Sequence, residues 1–294
     1  MKLLTIFTPT FNRAYCLHKC YESLLRQTDR NFIWLIIDDG STDGTKELVK
    51  KWIREENLEI HYIWQENQGM HGAHNTAYNN ILTELNICID SDDYMPDDAV
   101  EAIISFWKKH GSERVSGFVG LDAYNNGQIV GSTLPENLIS STLFDLYNKH
   151  GVKGDKKIVY RTELTKHFPY PIFKGENYVG LAYKYYKLDQ DYELLLLNKV
   201  LCCVEYLPDG SSHNMLRQYK RNPKGFSFYR RELMKLPSAG HIFKYRQAVH
   251  YVSSSLFDKN IWFLKESPNK FFTLVAIPLG ITLHFYIKAK TVFS

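Results

Sequence analysis

An unbroken apolar and β-branched run from Leu3 to Thr8 stops at Pro9 and gives way to Thr10, Phe11, Asn12 and Arg13, after which residues 14–26 follow a helical spacing. The pattern predicts strand, polar loop and helix in that order. It recurs three more times. Residues 32–37 predict a second strand, which ends in Asp38, Asp39, Gly40, Ser41, Thr42, Asp43 and Gly44 before a helix over 45–55. Residues 58–64 predict a third, with Glu66, Asn67, Gln68 and Gly69 leading into a helix over 71–82. Residues 85–89, apolar except for Asn86, predict a fourth, closed by Asp90, Ser91, Asp92 and Asp93. Strands alternating with helices of this length predict a mostly parallel sheet, whose right-handed crossovers bring all four loops to one edge. Ligands of open α/β sheets bind outside the carboxyl ends of the strands.

The acidic loop carries the sharpest chemistry. Three carboxylates at a strand end suit a hard divalent cation such as Mg²⁺ or Mn²⁺, which takes oxygen ligands and is commonly shared between one or two carboxylates and substrate phosphates. The same residues also suit an acidic turn ahead of the next helix, since Pro96, Asp97 and Asp98 read as a helix start. Both readings stand on these residues alone.

Residues 111–200 follow a less regular pattern. Residues 115–122 and 129–132 flank Asn125, Asn126 and Gly127 as a hairpin, and 156–161 predict another short strand. Pro169 and Pro171 interrupt an aromatic loop, after which Gly175, Glu176 and Asn177 are expected to open a helix running to about Lys187. The last strand is expected over 200–206, followed by a tight turn from Leu207 to His213.

The four loops together resemble the family 2 glycosyltransferases, enzymes of the nucleotide-sugar-binding GT-A fold. The resemblance lies in Thr8 to Arg13, in Ile37 to Gly44, in Glu66 to Gly69 with Asn75 and Ala77, and in Asp90 to Asp93, and covers roughly the first 110 residues. It implies an inverting transfer of a hexosyl or N-acetylhexosaminyl group from a nucleotide diphosphate sugar, with uridine as the base, to a glycan or lipid-linked acceptor, assisted by Mn²⁺ or Mg²⁺. Pro9, Thr10, Phe11, Arg13, Asp38, Asp39, Asn67, Gly69, Asn75, Asp90 and Ser91 are then expected to bind the donor. Asp92 would hold the metal, with His213 a candidate further ligand. The family places an acidic pair where this chain has Glu176 and Asn177. An amide cannot accept the acceptor's proton, so Glu176 is the expected base, with Asp189 and Asp191 as fallbacks. A sugar-phosphate nucleotidyltransferase is the rival enzyme class. It would be expected to carry a Gly-rich, basic loop after its first strand, where this chain has Thr10, Phe11, Asn12 and Arg13. A non-catalytic nucleotide-sugar-binding protein is the third reading.

Composition changes this picture little. A chain of 294 residues with 44% hydrophobic content is long enough for a large core, expected as a catalytic domain over 1–213, with nucleotide-sugar-binding (1–110) and acceptor (111–213) halves, and a helical region over 214–294. Five cysteines without metal-ligand company predict a reducing, cytoplasmic setting, and Met1 leads into the first strand with no secretory pattern. Lys220, Arg221, Lys224, Arg230, Arg231 and Lys235 interleave with aromatics, a pattern shared by membrane-surface helices and ordinary packed ones. No nucleic-acid partner is expected. Residues 271–287 fall short of the roughly 20 apolar residues needed to span a bilayer. They predict either an interfacial helix at the inner face of the cell membrane or one packed on the catalytic domain or on a second subunit.

Overall fold

The computed structural model describes residues 2–205 and 215–291. The chain divides into two compact units, Met1–Pro169 with Asp191–Tyr206, and Tyr170–Gln190 with Leu207–Ser294. The domain boundary expected at 213 lies outside the described residues.

The first unit is built on one sheet of eight strands: β1 (Leu4–Thr10), β2 (Phe32–Asp38), β3 (Ile60–Trp64), β4 (Leu85–Cys88), β5 (Val115–Tyr124), β6 (Ser140–Ser141), β7 (Lys156–Arg161) and β8 (Glu193–Val204). Their order is β3-β2-β1-β4-β7-β5-β8-β6. The first four strands are parallel, β7 runs antiparallel between β4 and β5, and β8 is parallel to β5. This is the mostly parallel sheet the alternating pattern predicts. Helices α1 (Leu17–Leu25), α2 (Thr45–Glu55), α3 (Gly69–Asn80) and α4 (Ala99–His110) supply the crossovers, with α5 (Leu143–Asn148) and α6 (Thr162–Thr165) in the second half.

Every residue of β1 is buried, which accounts for its apolar and β-branched composition. Tyr21 of α1 stacks on Trp52 of α2 at 4.3 Å, and both rings lie over Trp34 of β2. The Trp34 indole donates to Thr8 Oγ1 at 3.0 Å, which satisfies its N–H inside the core.

Several boundaries differ from expectation. Helix α3 starts at Gly69, earlier than its apolar spacing suggests, because the Gly69 amide is capped from another loop. Ile129 forms only an isolated bridge with Ala123, so 129–132 is not a strand. The last strand starts at Glu193 because Leu194, Leu195 and Leu196 pair with β5, an apolar run whose period alone leaves helix and strand undecided.

The second unit is helical: α7 (Ala182–Leu188), α8 (Met215–Arg221), α9 (Pro223–Lys235), α10 (His241–Phe257), α11 (Phe263–Glu266) and α12 (Lys270–Lys290). The helix expected from Gly175 begins only at Ala182, since the preceding residues are held by the start of α9 instead. Met234, Ala248, Tyr251, Val252 and Ala276 form the core between α9, α10 and α12.

Gly117 of β5 sits at φ 145°, and a Cβ there would lie 2.0 Å from the Val159 carbonyl oxygen of β7. Gly44, ahead of α2, has nothing within 4 Å of the same atom. Gly117→Ala is therefore expected to destabilise the protein by about 2 kcal/mol or more. Gly44→Ala should change stability by no more than about 0.5 kcal/mol. Urea denaturation of both variants checks the contrast; equal midpoints would remove this account of β5.

Candidate functional site

Because β1 to β4 are parallel, their four following loops lie along one edge of the sheet, and hydrogen bonds tie them to one another. The Asp39 amide donates to Thr10 O at 2.8 Å and the Gln65 amide to Asp38 O at 2.9 Å, which extends the ladder past the strand ends. Beyond Thr10 the chain turns at Asn12, a non-glycine residue at φ 53°. Its amide donates to Ser41 Oγ at 2.9 Å, and its Oδ1 accepts from the Thr42 amide at 2.8 Å. Asp43 Oδ2 accepts from the Ala14 amide at 3.0 Å. The loop after β1 is thus fastened to the loop after β2. Phe11 and Tyr15 stay exposed, with the Arg13 guanidinium over the Tyr15 ring. Pro9 and Thr10 are buried, and Thr10 Oγ1 has no hydrogen-bond partner.

Asp38 and Asp39 have different tasks. Asp38 is wholly buried and accepts from the Ser41 amide at 2.8 Å and the Tyr62 hydroxyl at 2.5 Å. Burial and this carboxylate together hold the Tyr62 hydroxyl protonated. Asp39 reaches the third loop: its Oδ1 accepts from Gln65 Nε2 at 2.6 Å and the Gln68 amide at 2.9 Å, and its Oδ2 from the Gly69 amide at 2.8 Å. Asn67 Nδ2 donates to the Asp39 carbonyl at 2.8 Å. Asp39 therefore satisfies the first amides of α3, where a negative charge is favoured. Burial raises its proton affinity against the opposing pull of the amides from Gln68, Gln65 and Gly69. Asn75 lies half-buried on α3.

The acidic loop after β4 splits its carboxylates. Asp90 and Asp92 are half-buried, and Ser91 is buried. Asp93 turns inward, 5% exposed, with its amide donating to Asp90 O at 3.0 Å. Lys157 of β7 places its ammonium 3.7 Å from Asp93 and 3.9 Å from Asp122 of β5. Burial pushes the Asp93 carboxyl up to about 7, with Lys157 opposing and Asp90 and Asp92 adding. The Lys157 ammonium is held well above its ordinary range: burial opposes its charge, but Asp122, Cys202, Asp93 and Asp90 outweigh that cost. One cation shared among several carboxylates cannot keep them all ionised, which reconciles the two shifts. Tyr94 closes the loop by bridging Cys203 of β8. The sequence reading missed Lys157 and Asp122. Asp122 leaves a trace as the single charge in the run of β5, whereas Lys157, in a strand that also holds Lys156 and Arg161, leaves none.

Among the described residues no three His, Cys, Asp or Glu side chains are gathered to hold a metal ion. His213 lies outside the described residues. Two accessible carboxylates suit a hard cation that takes its other oxygens from a diphosphate.

Glu176, expected at the first turn of its own helix, instead caps another. Its two oxygens accept from the Lys224 amide at 3.0 Å and the Gly225 amide at 2.8 Å, the first turn of α9. The Asn177 amide donates to Asn222 Oδ1 at 2.7 Å. Burial raises the proton affinity of Glu176, with the Gly225 and Lys224 amides opposing. Asp191 is exposed in the turn before β8.

The family model for Glycosyl transferase family 2 matches residues 5–168, from β1 through the strand that carries Lys157. The chain belongs to glycosyl transferase family 2. Within the family, it is 25% identical over 257 residues to the Escherichia coli glucosyltransferase WfgD, named for UDP-Glc and GlcNAc-diphosphoundecaprenol, covering 83% of this chain and 97% of that one. It is 37% identical over 100 residues to Glycosyltransferase GlyA of Streptococcus pneumoniae, a stretch covering 34% of this chain and 14% of GlyA. Against several relatives the chain thus spans only a small part of their length. S. aureus TarS (residues 1–349), solved with UDP-GlcNAc, superposes with a TM-score of 0.61 at 18% identity, over 98% of this chain and 88% of that one. A mannosyltransferase from Pyrobaculum calidifontis, solved with GDP-Man and Mn²⁺, gives 0.57 at 16%, over 97% and 75%. These neighbours share the GT-A fold.

The inward acid gives a pH test. Folded Asp93 holds its proton up to about pH 7, whereas an unfolded aspartate loses it near about 3.9. The folded state binds the extra proton between those values, so stability should fall as pH rises through that window. Asp93→Asn should flatten the decline seen in urea midpoints, leaving the part that buried Asp122 adds in the same direction. An unchanged slope would place the proton elsewhere.

Proposed function

We propose that the β1–β4 edge binds a nucleotide diphosphate sugar and that the protein moves the sugar, with inversion, to a hydroxyl of a glycan or lipid-linked acceptor. The observation that carries this reading is the joined set of loops. Asp39 ties three of them together, while the acidic loop keeps Asp90 and Asp92 accessible and commits Asp93 to Lys157. The UDP-sugars of TarS and WfgD support uridine as the base, and the undecaprenol-linked substrate of WfgD supports a lipid-linked acceptor.

A carboxylate offers about four acceptor positions and Asp39 uses three, which leaves one for a base N–H. Pro9, Thr10, Phe11 and Arg13 flank that base and its ribose, and Asp38, Asn67, Gly69, Asn75 and Ser91 complete the donor-binding set. Asp90 takes the ribose side. A divalent cation, Mn²⁺ or Mg²⁺, held by Asp92 and the donor diphosphate, would offset negative charge on the leaving oxygens. The acceptor hydroxyl gives its proton to a carboxylate as its oxygen bonds to the anomeric carbon. The bond from that carbon to the diphosphate breaks in the same step, and the nucleoside diphosphate leaves. Glu176 is the proposed base, supported by the family resemblance and by the burial that raises its proton affinity.

A thermal-shift screen of nucleotide sugars, with and without Mn²⁺, tests the donor reading, since a ligand of the native state raises apparent stability. Asp39→Ala should weaken nucleoside diphosphate binding more than it slows turnover. Asp92→Asn should lower Mn²⁺-dependent nucleoside diphosphate release by roughly a hundredfold while leaving the fold intact. Normal release by Asp92→Asn would reduce the acidic loop to a helix start.

Glu176→Gln separates two roles. As a cap it should lose about 1–2 kcal/mol of stability. As a base it should also lose on the order of 10² to 10⁴ in transfer rate with donor affinity retained. Loss of stability alone would assign Glu176 to α9 and leave Asp191 as the next carboxylate to test.

A further inference from the structure

Helix α12 presents two opposite faces. Thr273, Ala276, Gly280 and Ile287 are buried, and the helix packs along α10, with Phe272 beside Tyr245 at one end and His284 against Phe257 at the other. At Gly280 the approach is so close that a Cβ would lie 2.5 Å from the Val252 side chain. The other face carries Phe271, Leu274, Val275, Leu279, Phe285 and Tyr286, each between 49% and 70% exposed. With exposed Pro278, Thr282 and Ala289 these form one stripe along the helix, apolar except for the Thr282 hydroxyl, which donates to the Pro278 carbonyl at 3.0 Å.

Charge decides what covers it. No Asp or Glu occurs from Lys270 to Lys290. At about 100° per residue, Lys270 and Lys288 fall on one border of the stripe and Lys290 on the other. All three are exposed. An apolar stripe edged by lysines on both sides is complementary to a surface with an apolar interior and anionic groups above it. A second copy docked through the same face would set lysine borders against lysine borders. At 21 residues α12 is long and apolar enough by composition to cross a membrane, which residues 271–287 alone are not. The in-plane reading rests on its partner, since α10 would have to enter with it carrying Gln247, His250, Ser253, Ser254 and Ser255 along its length.

We propose that α12 lies in the plane of an anionic lipid surface, its stripe among the acyl chains and Lys270, Lys288 and Lys290 at the phosphates. The inference is independent of the transfer reaction and goes beyond it. It also selects the interfacial reading of residues 271–287 over packing on a second subunit.

Sedimentation of the full chain with phosphatidylcholine vesicles, with or without phosphatidylglycerol, tests it. The protein should bind vesicles containing phosphatidylglycerol and be released as salt is raised. Leu279→Asp combined with Phe285→Asp should lower the bound fraction at least about tenfold. Lys288→Glu combined with Lys290→Glu should lower it roughly tenfold on anionic vesicles alone. These positions are exposed, so circular dichroism and thermal midpoint should match the parent. No binding by the parent chain, or equal binding by the two aspartate substitutions, overturns the proposal. So does a concentration-dependent dimer that Leu279→Asp dissolves while vesicles stay unbound. Vesicle binding without detectable sugar transfer would count against the proposed reaction and leave this inference standing.

Discussion

The Asp39 carboxylate is the constraint on which the loop edge of β1 to β4 depends. Parallel strands end side by side, but nothing in a parallel ladder fixes the loops beyond them, which are longer than the tight turns of antiparallel sheets. Asp39 supplies the missing restraint with its amide on Thr10, its carbonyl on Asn67, and its two oxygens on Gln65, Gln68 and Gly69. Gly40 follows at φ 87°, where a Cβ would come within 3.0 Å of the Asn67 amide. The pair Asp-Gly is therefore required twice over: a carboxylate to gather amides, then a residue without a side chain so that the third loop can close on it.

Much of the first unit was legible because its strands and helices are long enough for one period to dominate. β1, β2 and α2 carry that signal, and the four loop ends were placed by chain order and right-handed crossover alone. Legibility failed where a local pattern lost to a distant partner. Residues 175–181 look like a helix start, with a Glu in the first turn, yet Glu176 and Asn177 are drawn to the amide of α9 and the side chain of Asn222, some 45 residues away in sequence. The leucine run at 194–197 could belong to either regular structure, and its pairing with β5 decided for strand. Lys157 was invisible for a different reason. A lysine in a short strand reads as a solvent-facing residue, and only the fold brings Asp93 and Asp122 to it.

That buried cation explains why a loop with three carboxylates offers two. The inward acid must be compensated or protonated, because an isolated buried carboxylate costs several kcal/mol. Here Lys157 supplies partial compensation from β7, and its charge is divided between Asp93 and Asp122. Burial, only partly offset by that divided charge, leaves Asp93 with a raised proton affinity, so it anchors the loop without adding a full negative charge behind Asp90 and Asp92. Two accessible carboxylates, rather than three converging on one point, make a weak site for a bare cation and a sufficient one when a diphosphate brings its own oxygens. On the proposed reading, cation and donor would each complete the other's ligand set, and their binding would be cooperative.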